Sequence, residues 1–197
     1  MDFDAIILAG GRSSRLGGSA KSALMLDGAT LLERSVAAAA GARQAVVVGP
    51  EAAGLPGGVL STREDPPFAG PAAAIAAGLS ALRGAGRADM VLVLACDMPR
   101  VADAVHALLN ALPGEGGDGV IAASADGRQQ PLAGFYSTAA LERAVQDAAA
   151  RNALVNGSVF ALLASLDVQA VVVPAGSTDD VDTWDDAAAL GVAVREQ

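Results

Sequence analysis

Short apolar runs of strand length recur along this chain between longer Ala/Leu-rich stretches, and that alternation constrains its fold more than any other feature. The runs are AIILA (5–9), AVVVG (45–49), MVLVLA (90–95), GVIAAS (119–124), PLAGFY (131–136) and AVVVP (170–174). Strands that are apolar at every position have both faces covered, and the intervening stretches carry helical periodicity, so βαβ units with a largely parallel sheet are expected. The fold class is α/β. The length of 197 residues suits one large domain, and no internal repeat or linker divides it. Hydrophobic residues make up 52% but aromatics only 3%. The core must therefore be built from Ala, Val, Leu and Ile, which favours close helix–sheet packing.

Helix starts are marked by chemistry. Thr30 with Glu33, and Thr183 with Asp186, place a hydroxyl acceptor at an N-cap and a carboxylate three residues on, where unpaired amides and the positive helix end await it. Gly70-Pro71 puts proline in the first turn of a helix running toward Leu82. Asp126-Gly127 is a turn dipeptide that would close an antiparallel hairpin between residues 119–124 and 131–136, making the sheet mixed. The Gly-rich segments 83–89 and 112–119 read as surface loops.

The net charge of −9 argues against nucleic acid and anionic membrane as partners, because phosphate surfaces are bound through local basic charge. The single cysteine cannot form an intramolecular disulfide, the start MDFDAIILAGG lacks a basic leader region, and no apolar run approaches ~20 residues. A cytoplasmic protein is expected.

The first apolar run leads into Gly10, Gly11, Arg12, Arg15, Gly17, Gly18 and Lys21, the only lysine of the chain. Glycines let backbone amides crowd an anion and the cations balance phosphate charge, so the segment reads as a phosphate cradle. An ordinary βα loop with solvated arginines has the same local composition. Two familiar phosphate signatures are excluded: a Walker A loop needs Gly where Ala20 precedes the lysine, and G-x-G-x-x-G needs Gly at Arg12. Farther on, the strand-length run ending in CDMP places Asp97 at the C-terminal edge of a parallel sheet, where α/β folds bind ligands. Its carboxylate suits Mg²⁺, although an Asp in that place also caps helices. Cys96 and His106 could be imagined as nucleophile and base. A Cys closing an apolar strand is more often a buried hydrophobe, and His106 sits in a helical segment without a paired acid.

Leu8-Ala9-Gly10-Gly11-Arg12-Ser13-Ser14-Arg15-Leu16-Gly17, with Lys21 following, resembles the pattern L-A-G-G-x-S-x-R-M-G-x-x-K of the molybdenum cofactor guanylyltransferases, the MobA-like nucleotidyltransferases. Three more segments, in family order, carry the resemblance: Arg63 to Leu82, Val91 to Pro99, and Ser177 to Leu190, with Gln130-Pro131-Leu132 resembling the strand that faces the acceptor. Ser19-Ala20 departs from the acidic residue that commonly precedes the family lysine, and Trp184 stands where a proline is usual.

The resemblance implies a single-domain Rossmann-like nucleotidyltransferase fold over residues 1–197, a mostly parallel twisted sheet with helices on both faces and an antiparallel hairpin. It implies transfer of GMP from GTP to Mo-molybdopterin with release of pyrophosphate. Lys21, Arg15 and Asp97 would be catalytic. Leu8, Ala9, Gly10, Gly11, Lys21, Gly49, Asp65 and Asp97 would hold the nucleotide, and Asp97 with Asp182 would hold Mg²⁺. Gly49 stands where some relatives have asparagine, and a glycine offers no side-chain hydrogen bond to a base. Cytidylyl, sugar-phosphate and phospholactate transfer, or a non-catalytic nucleotide-binding module, remain alternatives at this stage. For partners, the expectation is GTP and a molybdopterin-type phosphorylated acceptor, in a monomer with transient contacts to proteins of the cofactor pathway.

Overall fold

The computed structural model describes residues 2–11, 16, 20–50, 55–112 and 116–194. Strands β1 (Phe3–Leu8), β4 (Ala45–Val48), β5 (Leu60–Thr62), β6 (Met90–Ala95), β7 (Gly119–Ala123), β8 (Gln129–Ser137) and β9 (Val168–Val172) form one sheet in the order β5-β4-β1-β6-β8-β7-β9. All pairings are parallel except those of β8, which runs against both β6 and β7. The expected hairpin is thus β7–β8. The expected strand at 5–9 begins earlier, because Phe3 pairs with Met90 and the buried Asp4 accepts a hydrogen bond from the Ala88 amide at 3.1 Å. The run expected at 170–174 is shifted to β9, and Val173 leaves the strand while still bonding the Ala123 carbonyl.

Side-chain alternation explains how continuous apolar strands serve two cores. Phe3, Ala5 and Ile7 of β1 and Met90, Leu92 and Leu94 of β6 face helices α1 (Leu31–Ala38) and α3 (Val101–Asn110). Ile6, Leu8, Val91 and Val93 face the opposite way, onto α2 (Pro71–Leu82), α4 (Thr138–Ala150) and α5 (Val159–Leu163). Helices therefore cover both faces. The Thr30–Glu33 box starts α1 as read from the sequence, with Glu33 N–H to Thr30 Oγ1 at 3.1 Å, and Pro71 opens α2.

A third, smaller cluster was not foreseen. Leu16, Leu24, Leu26, Leu31, Val181, Ala187 and Val192 pack together, joining the short hairpin β2 (Met25–Leu26) and β3 (Ala29–Thr30) to α6 (Trp184–Leu190). Paired backbone bonds between Met25 and Ala193, at 2.8 and 2.9 Å, clamp it. This core brings the segment after Lys21 against the Asp180–Asp182 segment, two stretches some 160 residues apart in sequence. Among the described residues no helix is long and apolar enough to cross a membrane.

Candidate active site

The strand order reverses between β1 and β6: from β1 the chain moves outward to β4 and β5, then returns across the sheet to β6 on the other side. In open α/β sheets the loops diverge at such a point and leave a crevice beyond the carboxyl ends of the strands. Leu8 lies in register with Ala95 there, and the Cys96 amide bonds the Leu8 carbonyl at 3.0 Å. The crevice is a cleft of about 450 Å³. Leu8, Ala9, Gly10 and Gly11 form one wall, Cys96 and Asp97 another, and Lys21 reaches in from the following turn. Pro50, Glu64, Phe68, Gly70 and Pro71 close the side toward β4 and β5, and Leu132 of β8 and Asn156 also line the cleft.

Lys21 is the electrostatic centre. Its Nζ donates to Asp97 Oδ2 at 3.1 Å and to Asp182 Oδ1. Burial pulls the ammonium toward neutrality, but the hydrogen bonds and charges of Asp182 and Asp97 together outweigh it, so the lysine titrates above its ordinary value. Val181 is fully buried in the third cluster and its amide bonds the Asp97 carbonyl at 2.9 Å. With Val181 pointing inward, Asp180 and Asp182 both emerge beside Asp97. One oxygen from each of these three carboxylates lies within 4.8 Å of the others. Burial first, then the charges of Asp97 and Asp182, raises the Asp180 carboxyl. Such converging hard oxygens fit a divalent cation of the Mg²⁺ type, which takes carboxylates and retains water and phosphate ligands.

The expected site residues mostly converge. Lys21, Asp97 and Asp182 meet, and Leu8 to Gly11 line the cleft. Arg15 lies outside the described residues. Gly49 stands behind the glycine loop rather than in the cleft: a Cβ there would fall 2.8 Å from the Ala9 carbonyl carbon and 2.9 Å from the Gly10 nitrogen. Glycine is thus required by close backbone approach. Gly49→Ala is expected to push the loop and lower stability by ~1–3 kcal/mol, measured by urea denaturation, with weakened nucleotide binding.

Asp65 does not line this cleft and faces a separate depression with Thr62, Arg63 and the Ala73–Ala77 side of α2. In the turn that follows β5 it is the adjacent Glu64 that lines the cleft. Glu64 was missed, as was Asp180 as a third carboxylate, although the acid–Val–acid alternation at 180–182 was a visible signal.

His106 is exposed on α3, away from the cleft walls, and Cys96 is buried. Burial first, then the Asp97 charge, pushes the thiol up to about 12. The folded protein at pH 8 is expected to resist iodoacetamide, alkylating only after denaturation, as mass spectrometry would show. Because the native thiol holds its proton where the unfolded one has lost it, stability should also fall between pH 9 and about 12.

Solved structures share this fold. The chain is 20% identical to molybdopterin-guanine dinucleotide biosynthesis protein A from Archaeoglobus fulgidus, at a TM-score of 0.67 with 95% of this chain and 96% of that one covered. It is 22% identical to Rv0371c from Mycobacterium tuberculosis, at 0.69 with 96% and 97% covered. The 2-C-methyl-D-erythritol 4-phosphate cytidylyltransferase of Francisella tularensis aligns at 14% identity and a TM-score of 0.75, with 97% and 99% covered. No curated protein matches in sequence. The family model of the MobA-like NTP transferase domain matches residues 5–162. With a Rossmann-like sheet, a glycine loop at its switch point and a family match over most of its length, the chain belongs to the MobA-like NTP transferase domain family, whose members are nucleotidyltransferases.

Proposed function

We propose that this protein transfers GMP from GTP to Mo-molybdopterin, forming the guanine dinucleotide cofactor and pyrophosphate. The observation that carries the reading is the meeting of Lys21 and Asp97 in one cleft that Leu8 to Gly11 also line. An acceptor phosphate oxygen forms the new bond to the α-phosphorus, and the bond from that phosphorus to the bridging oxygen of the β-phosphate breaks. The acceptor phosphate is already ionised near neutrality, so the site needs no histidine base. Lys21 meets the charge that grows on the departing pyrophosphate, and the loop amides of Gly10 and Gly11 approach the phosphates without side chains between. Asp97, Asp180 and Asp182 would hold Mg²⁺, which supplies charge neutralisation at phosphate oxygens. Arg15 adds a second cation in this reading.

The similar Archaeoglobus protein is named for molybdopterin-guanine dinucleotide biosynthesis, which supports the acceptor. Cytidylyl transfer is the second reading, because the same fold carries the Francisella cytidylyltransferase and Gly49 offers the base no side chain. Incubating the purified protein with Mg²⁺, loaded molybdopterin and each nucleoside triphosphate decides between them. Pyrophosphate release with GTP is expected. Release with CTP alone overturns the base assignment, and GTP binding without release for any phosphorylated acceptor leaves a nucleotide-binding module.

A further inference from the structure

We propose that Arg34 is a positioning residue that sets the Lys21–Asp97 contact, by tying the two segments that carry these side chains to one another through their backbone carbonyls. The consequence for turnover rests on the nucleotidyl-transfer reading above. Arg34 is half-buried on α1 and lies outside the cleft lining. Its Nε donates to the Pro99 carbonyl at 2.7 Å, and its Nη1 makes a longer contact with the Leu26 carbonyl at 3.4 Å. Pro99 stands just past Asp97, and Leu26 closes the short strand β2 that follows Lys21. Proline has no N–H, so the buried Pro99 carbonyl is the one backbone group by which that residue can be held.

The need for such a tie follows from what the contact itself can supply. Lys21 and Asp97 are 76 residues apart and reach each other from different loops. Their side chains are 19% and 22% exposed. An ion pair that water reaches does not by itself hold two loops together, because ordering the long lysine side chain offsets much of the attraction. The backbone beneath has to fix the geometry. In the loop after β6, the Val181 amide holds the Asp97 carbonyl at 2.9 Å and Arg34 holds the Pro99 carbonyl. In the segment after Lys21, the Leu31 amide at the start of α1 holds the Leu24 carbonyl at 2.8 Å, and Arg34 on the same helix reaches Leu26. A planar guanidinium with donors on separate nitrogens serves both segments at once, which a compact ammonium does not. Misplacement by about 1 Å costs up to ~10²-fold in rate at a site whose chemistry is alignment and charge balance. Loosening the tie therefore lowers turnover.

The test uses Lys21 as the chain's only lysine. Protein labelled with ¹³C-lysine gives one side-chain Cε signal, and its NMR relaxation reports how firmly that side chain is held on the ps–ns timescale, with no substrate present. The wild type is compared with Arg34→Met, which keeps the stem and removes the donors, and with Arg34→Gln, which keeps a donor on a shorter stem. Val36→Ala, an apolar core change on the same helix, is the control for stability alone. Melting temperature, kcat and KM for GTP are measured on each. Arg34→Met is expected to free the Lys21 side chain and lower kcat ~10–100-fold, with KM within ~3-fold of the parent. Arg34→Gln should fall between, and it carries the comparison if Arg34→Met does not fold. Val36→Ala should melt earlier with Lys21 still held and kcat unchanged. A lysine as firmly held in the Arg34 variants as in the wild type overturns the inference. So does equal release of Lys21 in Val36→Ala, which marks general loosening, or a raised KM with kcat unchanged, which marks a binding role. If Arg34→Met frees Lys21 but the wild type releases no pyrophosphate with any nucleotide and acceptor, the tie stands and the nucleotidyl-transfer reading falls. A wild type that releases pyrophosphate while Lys21 stays held in both Arg34 variants does the reverse.

Discussion

Asp97→Asn is expected to lower the rate of pyrophosphate release by ~10³-fold or more while leaving the fold intact. The substitution keeps the side-chain shape and removes one charge from the point where two networks meet. Asp97 Oδ2 receives the Lys21 ammonium at 3.1 Å, and the same side chain is one of three carboxylates able to share a cation. An amide oxygen is a weaker ligand for Mg²⁺ and a weaker partner for lysine, so both functions suffer at once. Stability should move little, because neutralising Asp97 also relieves the repulsion that helps raise the Asp180 carboxyl. Steady-state rates across a Mg²⁺ titration, with a melting curve for each variant, check this. A variant retaining activity within ~10-fold of the parent would remove Asp97 from the chemistry.

What the sequence displayed, and what it hid, divides along physical lines. MVLVLA read as a strand over 90–95 and the structure places β6 at Met90–Ala95, because a run apolar at every position can only be covered on both faces. The Thr30 and Thr183 boxes were legible since capping is satisfied within four residues. The cluster of Leu24, Val181 and Val192 was not legible, since its members are scattered over the chain and none lies on a periodic face that signals it. Its consequence is the site itself: it is what sets Asp180 and Asp182 beside Asp97. Glu64 stayed hidden for a different reason. Which of two adjacent acids faces the cleft depends on how the chain turns after β5, and nothing in Arg63-Glu64-Asp65 alone fixes that turn.

Lys21→Ala should lose activity and stability together, and the stability loss should be recoverable by a divalent ion. Removing the ammonium leaves Asp97, Asp180 and Asp182 converging on one another with their lysine partner gone. Breaking a partly buried pair strands its partners, here at ~1–3 kcal/mol. At ~2–4 °C per kcal/mol for a chain of this size, the melting temperature should drop measurably at neutral pH. The folded lysine titrates above its unfolded value of 10.5. Its contribution is therefore fully present below pH 10.5 and is lost as pH rises through the folded value, so wild type and variant should converge in strongly alkaline buffer. Mg²⁺ can replace the missing positive charge among the carboxylates, and it should raise the variant's melting temperature more than the wild type's. It cannot replace the lysine at the phosphates, so turnover should stay ~10²–10³-fold down at saturating Mg²⁺. Equal Mg²⁺ shifts in both proteins would show that the lysine does not serve as counter-ion to the carboxylates. Full recovery of turnover would show that its charge is not needed by the leaving group.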